Sequence, residues 1–267
     1  MIQRSTVFGI MIGLVVWGWA CIGVHAEHAD RPGVDKPDLP PLDIYLLIGQ
    51  SNMGGRAPYD EAEAGIIPRC YLLNDYDKWE PAQNPFNRYS SIEREDVPNK
   101  LGIGYTFVTT MLEHDPDAHI GIIVNARGGA SMKYWEKGEW AYREAVRRTE
   151  IALEAGTLKG VLWHHGEANR GDNRYLRRLA TFVGDLRAEF GMPDLPFVAG
   201  QIKDPGVVNR QIARLPNRVP YTAYAPIDGL TTFDRSHFDT RSIRIMGRRY
   251  AELMIELQEA RAAHTSD

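Results

Sequence analysis

The sequence contains few cysteines, carries little net charge and has only one long apolar run. Its two cysteines are Cys21 and Cys70. Removal of an N-terminal leader would leave Cys70 without a partner, so no internal disulfide is expected. The 31 basic and 35 acidic residues give a net charge of −4, and the basic residues are scattered along the chain. This pattern argues against a nucleic-acid-binding protein.

The long apolar run lies at the N-terminus and has the features of a signal peptide. Arg4 precedes the apolar segment Val7–Ile22, and Val24 and Ala26 are small residues placed like the −3 and −1 positions of a cleavage site. The run is short for a spanning helix and no second one follows. We therefore expect residues 1–26 to be removed on export to the periplasm or the medium, with no membrane attachment afterwards, rather than kept as an anchor. Residues 27–41 are predicted to be a linker and residues 42–267 a single domain.

The first short apolar run of that domain, Ile44–Ile48, ends at Gly49 and is followed by Gln50, Ser51 and Asn52. An unbroken run rich in branched residues is typical of a strand that is buried on both faces. The carboxyl ends of parallel strands are where open α/β folds bind ligands. Ser51 is therefore a candidate nucleophile, and the alternative is that it only caps the next helix.

Short apolar runs alternate with segments of helical periodicity along the rest of the domain. This alternation predicts an α/β fold in which helices cover both faces of a parallel five-stranded sheet. Three of the predicted strands end in glycine-containing polar loops, and right-handed crossovers would place these loops at one edge of the sheet. The predicted strands are 44–48, 70–73, 120–124, 160–163 and 196–199, and the predicted helices are 102–113, 140–154, 175–190 and 242–260.

A nucleophilic serine needs a histidine base, which is usually oriented by a carboxylate. Asp234 and His237 precede the closing helix and are spaced so that the carboxylate can bind Nδ1 while Nε2 faces Ser51. The alternative is that Asp234 caps the closing helix and His237 is a surface residue. The expected donors to a developing oxyanion are the main-chain amides of Ser51 and Gly129 and the side-chain amide of Asn169.

The order of four sequence blocks resembles the SGNH hydrolase superfamily, in particular its sialate O-acetylesterase-like and acetylxylan-esterase-like carbohydrate esterases. A Gly-x-Ser-x-Gly elbow, as in α/β-hydrolases, is absent around Ser51. The resemblance implies a flavodoxin-like three-layer α/β/α sandwich and a metal-free Ser-His-Asp esterase without a cofactor. The blocks are Gly49–Met53, Ala126–Ser131, Trp163–Asn169 and Asp234–His237.

Carried over by position, the resemblance implies that Ser51 is the nucleophile and that Asp234 and His237 are the acid and the base. The oxyanion donors would then be Ser51, Gly129 and Asn169, with Gln50, His165 and Glu167 in supporting positions. His165 is a departure, since relatives usually carry glutamine there. It could keep the hydrogen-bonding role or alter the acyl or sugar pocket. Glu167 could share the orientation of the histidine, although spacing favours Asp234.

The sequence therefore predicts an exported serine esterase that removes acetyl groups from an acetylated carbohydrate of the sialate or xylan type. A lipid or simple ester is an alternative substrate, and a non-catalytic carbohydrate-binding relative is an alternative function. A metal site at His164, His165 and Glu167 is not expected, because adjacent residues at a strand end point to opposite sides.

Overall fold

The computed structural model of the protein describes residues 39–203 and 206–265. In this part of the chain the strands are β1 (Leu42–Gly49), β2 (Cys70–Leu73), β3 (Trp79–Pro81), β4 (Ile120–Ala126), β5 (Gly156–His164), β6 (Phe197–Gly200) and β7 (Thr222–Ala225). They form one sheet in the order β3-β2-β4-β1-β5-β6-β7. Every pairing is parallel except that of β2 with β3.

Strand β1 lies at the centre of the sheet, between β4 and β5. Its residues are buried on both faces, as the unbroken apolar run predicts. Ile44, Leu46 and Ile48 pack into one hydrophobic core, while Tyr45 and Leu47 pack into the other. Successive strand residues point to opposite faces, so a single strand contributes to both cores.

The helices lie in two layers, one on each face of the sheet. Alternating strands and helices of this kind give right-handed crossovers that cover both faces. Helices α4, α5 and α6 supply residues to the first core, and α3 and α7 to the second. The described helices are α1 (Ser51–Gly54), α2 (Glu61–Ala64), α3 (Gly104–His114), α4 (Trp140–Ala152), α5 (Tyr175–Glu189), α6 (Val207–Ile212) and α7 (Thr240–Thr265).

The predicted α/β/α fold class is confirmed, but the predicted number of five strands is wrong. The two additional strands are β3 and β7, which lie at the two edges of the sheet. β3 has three residues and ends in Pro81, a residue that sheets accept mainly at their edges. β7 lies between Pro220 and Pro226 and has no continuous apolar run. The formation of both strands depends on pairing with a neighbouring strand more than on their own sequence pattern.

The predicted leader, residues 1–26, and most of the predicted linker lie outside the described residues. The sheet begins at Leu42, where the domain was predicted to start. Among the helices that the structure describes, none combines the length and the apolar character needed to cross a membrane.

Candidate active site

Ser51 is held at the carboxyl end of β1 by a turn that requires glycine. Gly49 has a φ of 136°, and a Cβ at this position would lie 2.2 Å from the carbonyl oxygen of His164 on β5. Only glycine fits this close approach at a positive φ. The chain then enters α1, whose first residue is Ser51, so the hydroxyl lies above the centre of the sheet.

Asp234, His237 and Ser51 form a chain of hydrogen bonds. His237 Nδ1 lies 2.6 Å from Asp234 Oδ2, and His237 Nε2 lies 2.9 Å from Ser51 Oγ. An ionised carboxylate can only accept hydrogen bonds, so Nδ1 donates to Asp234. In the neutral imidazole, Nε2 is then free to accept the Ser51 proton. The structure therefore brings together the three residues that the sequence predicted as a catalytic set.

The Asp234 carboxylate also organises the loop that carries His237. Its Oδ1 accepts hydrogen bonds from the main-chain N–H groups of Ser236 and His237, both at 2.7 Å. Partial desolvation raises the pKa of Asp234, but these two donors and the His237 ring outweigh it and lower the pKa to about 2. Asp234 therefore remains ionised at any ordinary working pH.

The three predicted oxyanion donors have hydrogens that no other group within the described residues accepts. These are the N–H groups of Ser51 and Gly129 and the Nδ2 of Asn169. Asn169 Oδ1 accepts a hydrogen bond from the Met132 N–H at 2.9 Å, which fixes the amide with Nδ2 as the remaining donor. Gly129 has a φ of 72°. Glycine adopts this left-handed backbone conformation more readily than other residues.

Ser51, Gly129 and His237 line the same cavity, which has a volume of about 340 Å³. Asn169 is not among the lining residues, although its neighbours Ala168 and Arg170 are. Much of the wall is polar or charged. The other lining residues are Gln50, Arg56, Arg94, Val97, Gly128, Glu167 and Ser236.

The supporting residues Gln50 and His165 connect neighbouring strand ends. Gln50 Oε1 accepts a hydrogen bond from the Gly166 N–H at 2.8 Å, which ties the Ser51 turn to the end of β5. His165 is buried behind the Gly129 turn, where Nε2 lies 2.9 Å from the carbonyl oxygen of Ala130 and Nδ1 lies 2.9 Å from the Tyr175 hydroxyl. Burial lowers the pKa of His165 to about 3, so the ring is neutral.

Glu167 lies at the cavity but does not bind the His237 ring. Its Oε1 accepts a hydrogen bond from Asn52 Nδ2 at 2.9 Å. Burial raises its pKa above the ordinary value for glutamate. The carboxylate on Nδ1 of His237 is thus that of Asp234, the residue favoured by spacing.

An ion pair that no sequence pattern predicts supports the Gly128–Gly129 turn. Arg56 Nη2 lies 2.7 Å from Glu93 Oε2, and Glu93 accepts hydrogen bonds from the Gly128 N–H. Arg56 Nη1 also donates to the Gly55 carbonyl oxygen at 2.7 Å. Glu93 lies in the long connection between β3 and α3, and the length of this connection is the only sequence signal of a role at the site.

The aromatic side chains Trp79 and Trp135, which would suit a sugar ring, do not line the cavity. Trp79 and Trp135 are buried in the core, and Arg127 stacks on Trp140. Within the part of the chain that the structure describes, no group of three histidine, cysteine or acidic side chains is placed to hold a metal ion.

Comparisons with known proteins assign the family. A family model described as "Carbohydrate esterase, sialic acid-specific acetylesterase" matches residues 41–256. Because the match covers most of the chain, the protein belongs to this family of carbohydrate esterases. It is a carboxylic ester hydrolase that acts on carbohydrates, and the resemblance to this branch of the SGNH hydrolases is confirmed.

The similarity extends to a curated relative and to solved structures. The chain is 31% identical over 201 residues to the probable carbohydrate esterase At4g34215 of Arabidopsis thaliana, covering 66% of this chain and 76% of that protein. The X-ray structure of the Arabidopsis AT4G34215 protein matches with a TM-score of 0.73 and 25% identity, over 81% of this chain and 99% of that one. The crystal structure of NanS matches with a TM-score of 0.65 and 16% identity, over 82% and 98% of the two chains, which supports the fold alone.

Proposed function

We propose that this chain is an exported serine esterase that removes O-acetyl groups from carbohydrates through Ser51, His237 and Asp234. The observation that carries the proposal is the continuous hydrogen-bonded chain from Asp234 through His237 to Ser51, with 2.6 and 2.9 Å between the bonded atoms. A neutral imidazole that is held by a carboxylate and faces a hydroxyl is the arrangement that activates serine.

Acylation begins when His237 Nε2 removes the Ser51 proton as Oγ attacks the carbonyl carbon of the acetyl ester. The carbonyl π electrons move to oxygen, and the resulting oxyanion accepts hydrogen bonds from Ser51 N–H, Gly129 N–H and Asn169 Nδ2. Collapse of this intermediate breaks the bond to the sugar oxygen. The protonated His237 ring gives its proton to that oxygen, and the deacetylated sugar leaves.

Deacylation repeats the same proton transfers with water in place of Ser51. His237 Nε2 takes a proton from water, and the hydroxide oxygen attacks the acetyl carbonyl carbon. The second oxyanion uses the same donors. Its collapse breaks the bond between the acetyl carbon and Ser51 Oγ, and His237 returns its proton to Oγ. Acetate is released, and Asp234 stays ionised throughout because its pKa is about 2.

The character of the cavity favours a sugar over a lipid. Arg56, Arg94, Arg170 and Glu167 contribute to the lining, and such groups suit hydroxyl and carboxylate ligands better than an alkyl chain. We propose an acetylated sialate-type or xylan-type carbohydrate as the substrate.

The test of the chemistry is hydrolysis of p-nitrophenyl acetate by the mature protein beside its Ser51→Ala variant. Removal of the nucleophile should lower kcat by about 10⁴- to 10⁶-fold, while the melting temperature shows that the variant is folded. Equal rates for the two proteins would rule out Ser51 as the nucleophile. Labelling of the wild type by a fluorophosphonate probe should likewise disappear in Ser51→Ala. A wild type that resists the probe and still binds glycans would support the non-catalytic alternative.

The substrate class is tested separately. Acetate release from acetylated xylan and from O-acetylated sialic acid distinguishes the two carbohydrate types, and an acyl-chain series from C2 to C8 tests the lipid alternative. Highest activity on C2 is expected, and a preference for C8 would contradict the proposal.

Export is tested by expressing the full chain and sequencing the N-terminus of the protein outside the cytoplasm. An uncleaved chain retained in the cells would overturn that part.

A further inference from the structure

Asn52, the residue after Ser51, is hydrogen-bonded to the main chain on both sides of His237. Its Nδ2 donates to the carbonyl oxygen of Ser236 at 3.0 Å. Its Oδ1 accepts from the N–H of Phe238 at 3.1 Å. The side chain is fully buried. The amide therefore holds the segment that carries His237 from within the turn that carries Ser51.

Glu167 fixes the orientation of the Asn52 amide. Its Oε1 accepts the second hydrogen bond from Asn52 Nδ2, at 2.9 Å. A flipped amide would direct its oxygen at two acceptors, Ser236 O and Glu167 Oε1, and its NH₂ group at the Phe238 N–H donor. The surrounding groups thus permit only one orientation.

Two further contacts attach the His237 segment to the rest of the molecule. Arg170 Nη2 donates a hydrogen bond to Ser236 Oγ at 2.9 Å, and the buried Phe238 ring contacts the ring of His164. The side chains of Asp234 and His237 are partly exposed. The segment is closed on itself by the Phe233 N–H to His237 O bond at 3.1 Å and by stacking of the Phe233 and His237 rings. These internal contacts shape the loop but do not set its distance from Ser51.

We propose that Asn52 is a positioning residue that sets the His237 main chain relative to Ser51, and that Glu167 acts on the same pair by holding Asn52. The proposal rests on the proposed roles of Ser51 and His237. Because Ser51 and Asn52 are adjacent in α1, the nucleophile and the support for its base move as one unit. Loss of the amide should therefore lower kcat and leave KM nearly unchanged.

The experiment compares Asn52→Asp with Asn209→Asp. Asp keeps the shape of Asn and can still accept the Phe238 N–H, but it cannot donate to Ser236 or Glu167. Asn209 is a matched control, since it is a buried amide that bonds the N–H and the carbonyl of Ile202 at 2.9 and 2.8 Å, outside the cavity. With p-nitrophenyl acetate, Asn52→Asp should lower kcat by about 10- to 100-fold with KM within threefold. Asn209→Asp should lower the melting temperature and preserve kcat.

Labelling of Ser51 by a fluorophosphonate probe gives a second readout, because it depends on activation of the serine. Its rate should fall in Asn52→Asp in parallel with kcat. If Asn52→Asp does not fold, Glu167→Ala and Glu167→Gln test the same contact without altering Asn52. Glu167→Gln keeps an acceptor for Asn52, so it should lower kcat less than Glu167→Ala.

Unchanged kcat in folded Asn52→Asp, or an equal loss of kcat in Asn209→Asp, would overturn the proposal. If Asn52→Asp is unfolded, equal kcat in the two Glu167 variants would do so. Failure of the proposed function has a different signature, because Ser51→Ala would then hydrolyse the ester at the wild-type rate.

A second inference concerns a basic groove between α5 and α6. The groove has a volume of about 550 Å³, and its lining includes Arg177, Arg214 and Arg218. These three side chains are exposed and have no acidic partner within the described residues. Residues 206–227 contain arginines but neither aspartate nor glutamate. A protein of net charge −4 thus concentrates positive charge in this groove.

The groove adjoins the loop that borders the catalytic cavity. Ala168 and Arg170 line the cavity, and Asn173, three residues further on, lines the groove. Gln211 of α6 bonds the Leu176 N–H and the Asp172 carbonyl oxygen at 2.8 and 2.7 Å, which joins the two walls. We infer that the groove binds an acidic glycan chain through its carboxylate or sulfate groups, to which arginine is suited. Together with the proposed function, binding of an acidic glycan in this groove would make the substrate an acetylated acidic polysaccharide.

The groove is tested by binding at low salt to polygalacturonate, dextran sulfate and neutral dextran, none of which carries an acetyl ester. Arg214→Gln/Arg218→Gln should weaken binding of an acidic probe by about fivefold. The control Arg143→Gln/Arg248→Gln, which removes the same charge from exposed sites elsewhere, should not. Both variants should hydrolyse p-nitrophenyl acetate normally, so this result is independent of the esterase chemistry. Absence of binding, equal weakening by the control or equally tight binding of duplex DNA would overturn the inference.

Discussion

The two sides of the candidate active site are held by different means. The side formed by strand ends comprises the Ser51 turn and the His164–His165 segment, and these side chains are at most 9% exposed. The loop side comprises Asp234 and His237, whose side chains are 44% and 27% exposed. Packing fixes the strand side, whereas the loop side is fixed by hydrogen bonds to Asp234 and Asn52 and by the buried ring of Phe238 next to His237. Substitutions on the loop side should therefore change activity with little effect on stability, and those on the strand side should change both.

The largest effect is expected for His237→Ala. Loss of the base should lower kcat by about 10⁴- to 10⁶-fold. The free energy of unfolding should change by less than about 1 kcal/mol, because the His237 side chain is partly exposed and lies outside the core. Steady-state kinetics and urea unfolding provide the measurements. A strongly destabilised His237→Ala protein would show that the loop is part of the core and would remove the contrast between the two sides.

Asp234→Asn should have the next largest effect. Asn keeps an oxygen for the N–H groups of Ser236 and His237 but favours the wrong tautomer of the imidazole, and kcat should fall by about 10⁴-fold. The pKa of Asp234 is about 2, so wild-type activity lost between pH 6 and 4 is not caused by its protonation. A pH–rate profile of kcat/KM tests this, and retention of more than a tenth of the activity by Asp234→Asn would contradict the assigned role.

Gly129→Ala tests the predicted oxyanion donor at the end of β4 against a matched glycine. Gly129 and Gly138 both have positive φ values, 72° and 87°, and a Cβ added to either residue would have no other atom within 4 Å. Alanine should cost each site about 1–2 kcal/mol through backbone strain alone. Only Gly129→Ala should also lower kcat, by up to about 10²-fold, because the strained main chain would shift the N–H that is the predicted oxyanion donor. Equal kcat in the two variants would remove Gly129 from that role.

The smallest effect, on pH dependence, is expected for His165→Gln. Burial lowers the pKa values of His164 and His165 to about 3, far below the value of about 6.5 in an unfolded chain. Between these values the unfolded state binds more protons, so stability falls as the pH decreases from about 6.5 towards 4. Each histidine contributes up to about 1.4 kcal/mol per pH unit. In His165→Gln the free energy of unfolding should fall less steeply as the pH decreases. An unchanged dependence on pH would show that the ring is not buried as a neutral group.

The central strands and the main helices could be predicted from sequence because their residues repeat the pattern of the environment they enter. Ile44–Ile48 is apolar throughout because β1 is buried on both faces. The six residues of α6 and the edge strands were missed because they are short and are stabilised by neighbours. Their own sequences do not show those neighbours.

The candidate site also combines residues that local sequence patterns predict with residues whose roles depend on distant partners. Ser51, Asp234 and His237 could be predicted as a catalytic set because a motif and a spacing of three residues are typical of that chemistry. The role of Asn52 was left open, since it depends on partners 115 to 186 residues away in sequence. The ion pair of Arg56 with Glu93 depends in the same way on a contact across 37 residues. Single-sequence patterns report periodicity and local spacing, but not pairing between distant polar side chains.

The central position of β1 has a consequence for the order of folding. The first strand of the domain pairs only with β4 and β5, which lie about 80 and 115 residues later in sequence. Its apolar residues therefore remain uncovered until more than half of the domain has been synthesised. Ser51 meets His237 later still, when the chain just before α7 has docked. Esterase activity should therefore return after the bulk of the secondary structure during refolding, which makes it a reporter of the final docking step.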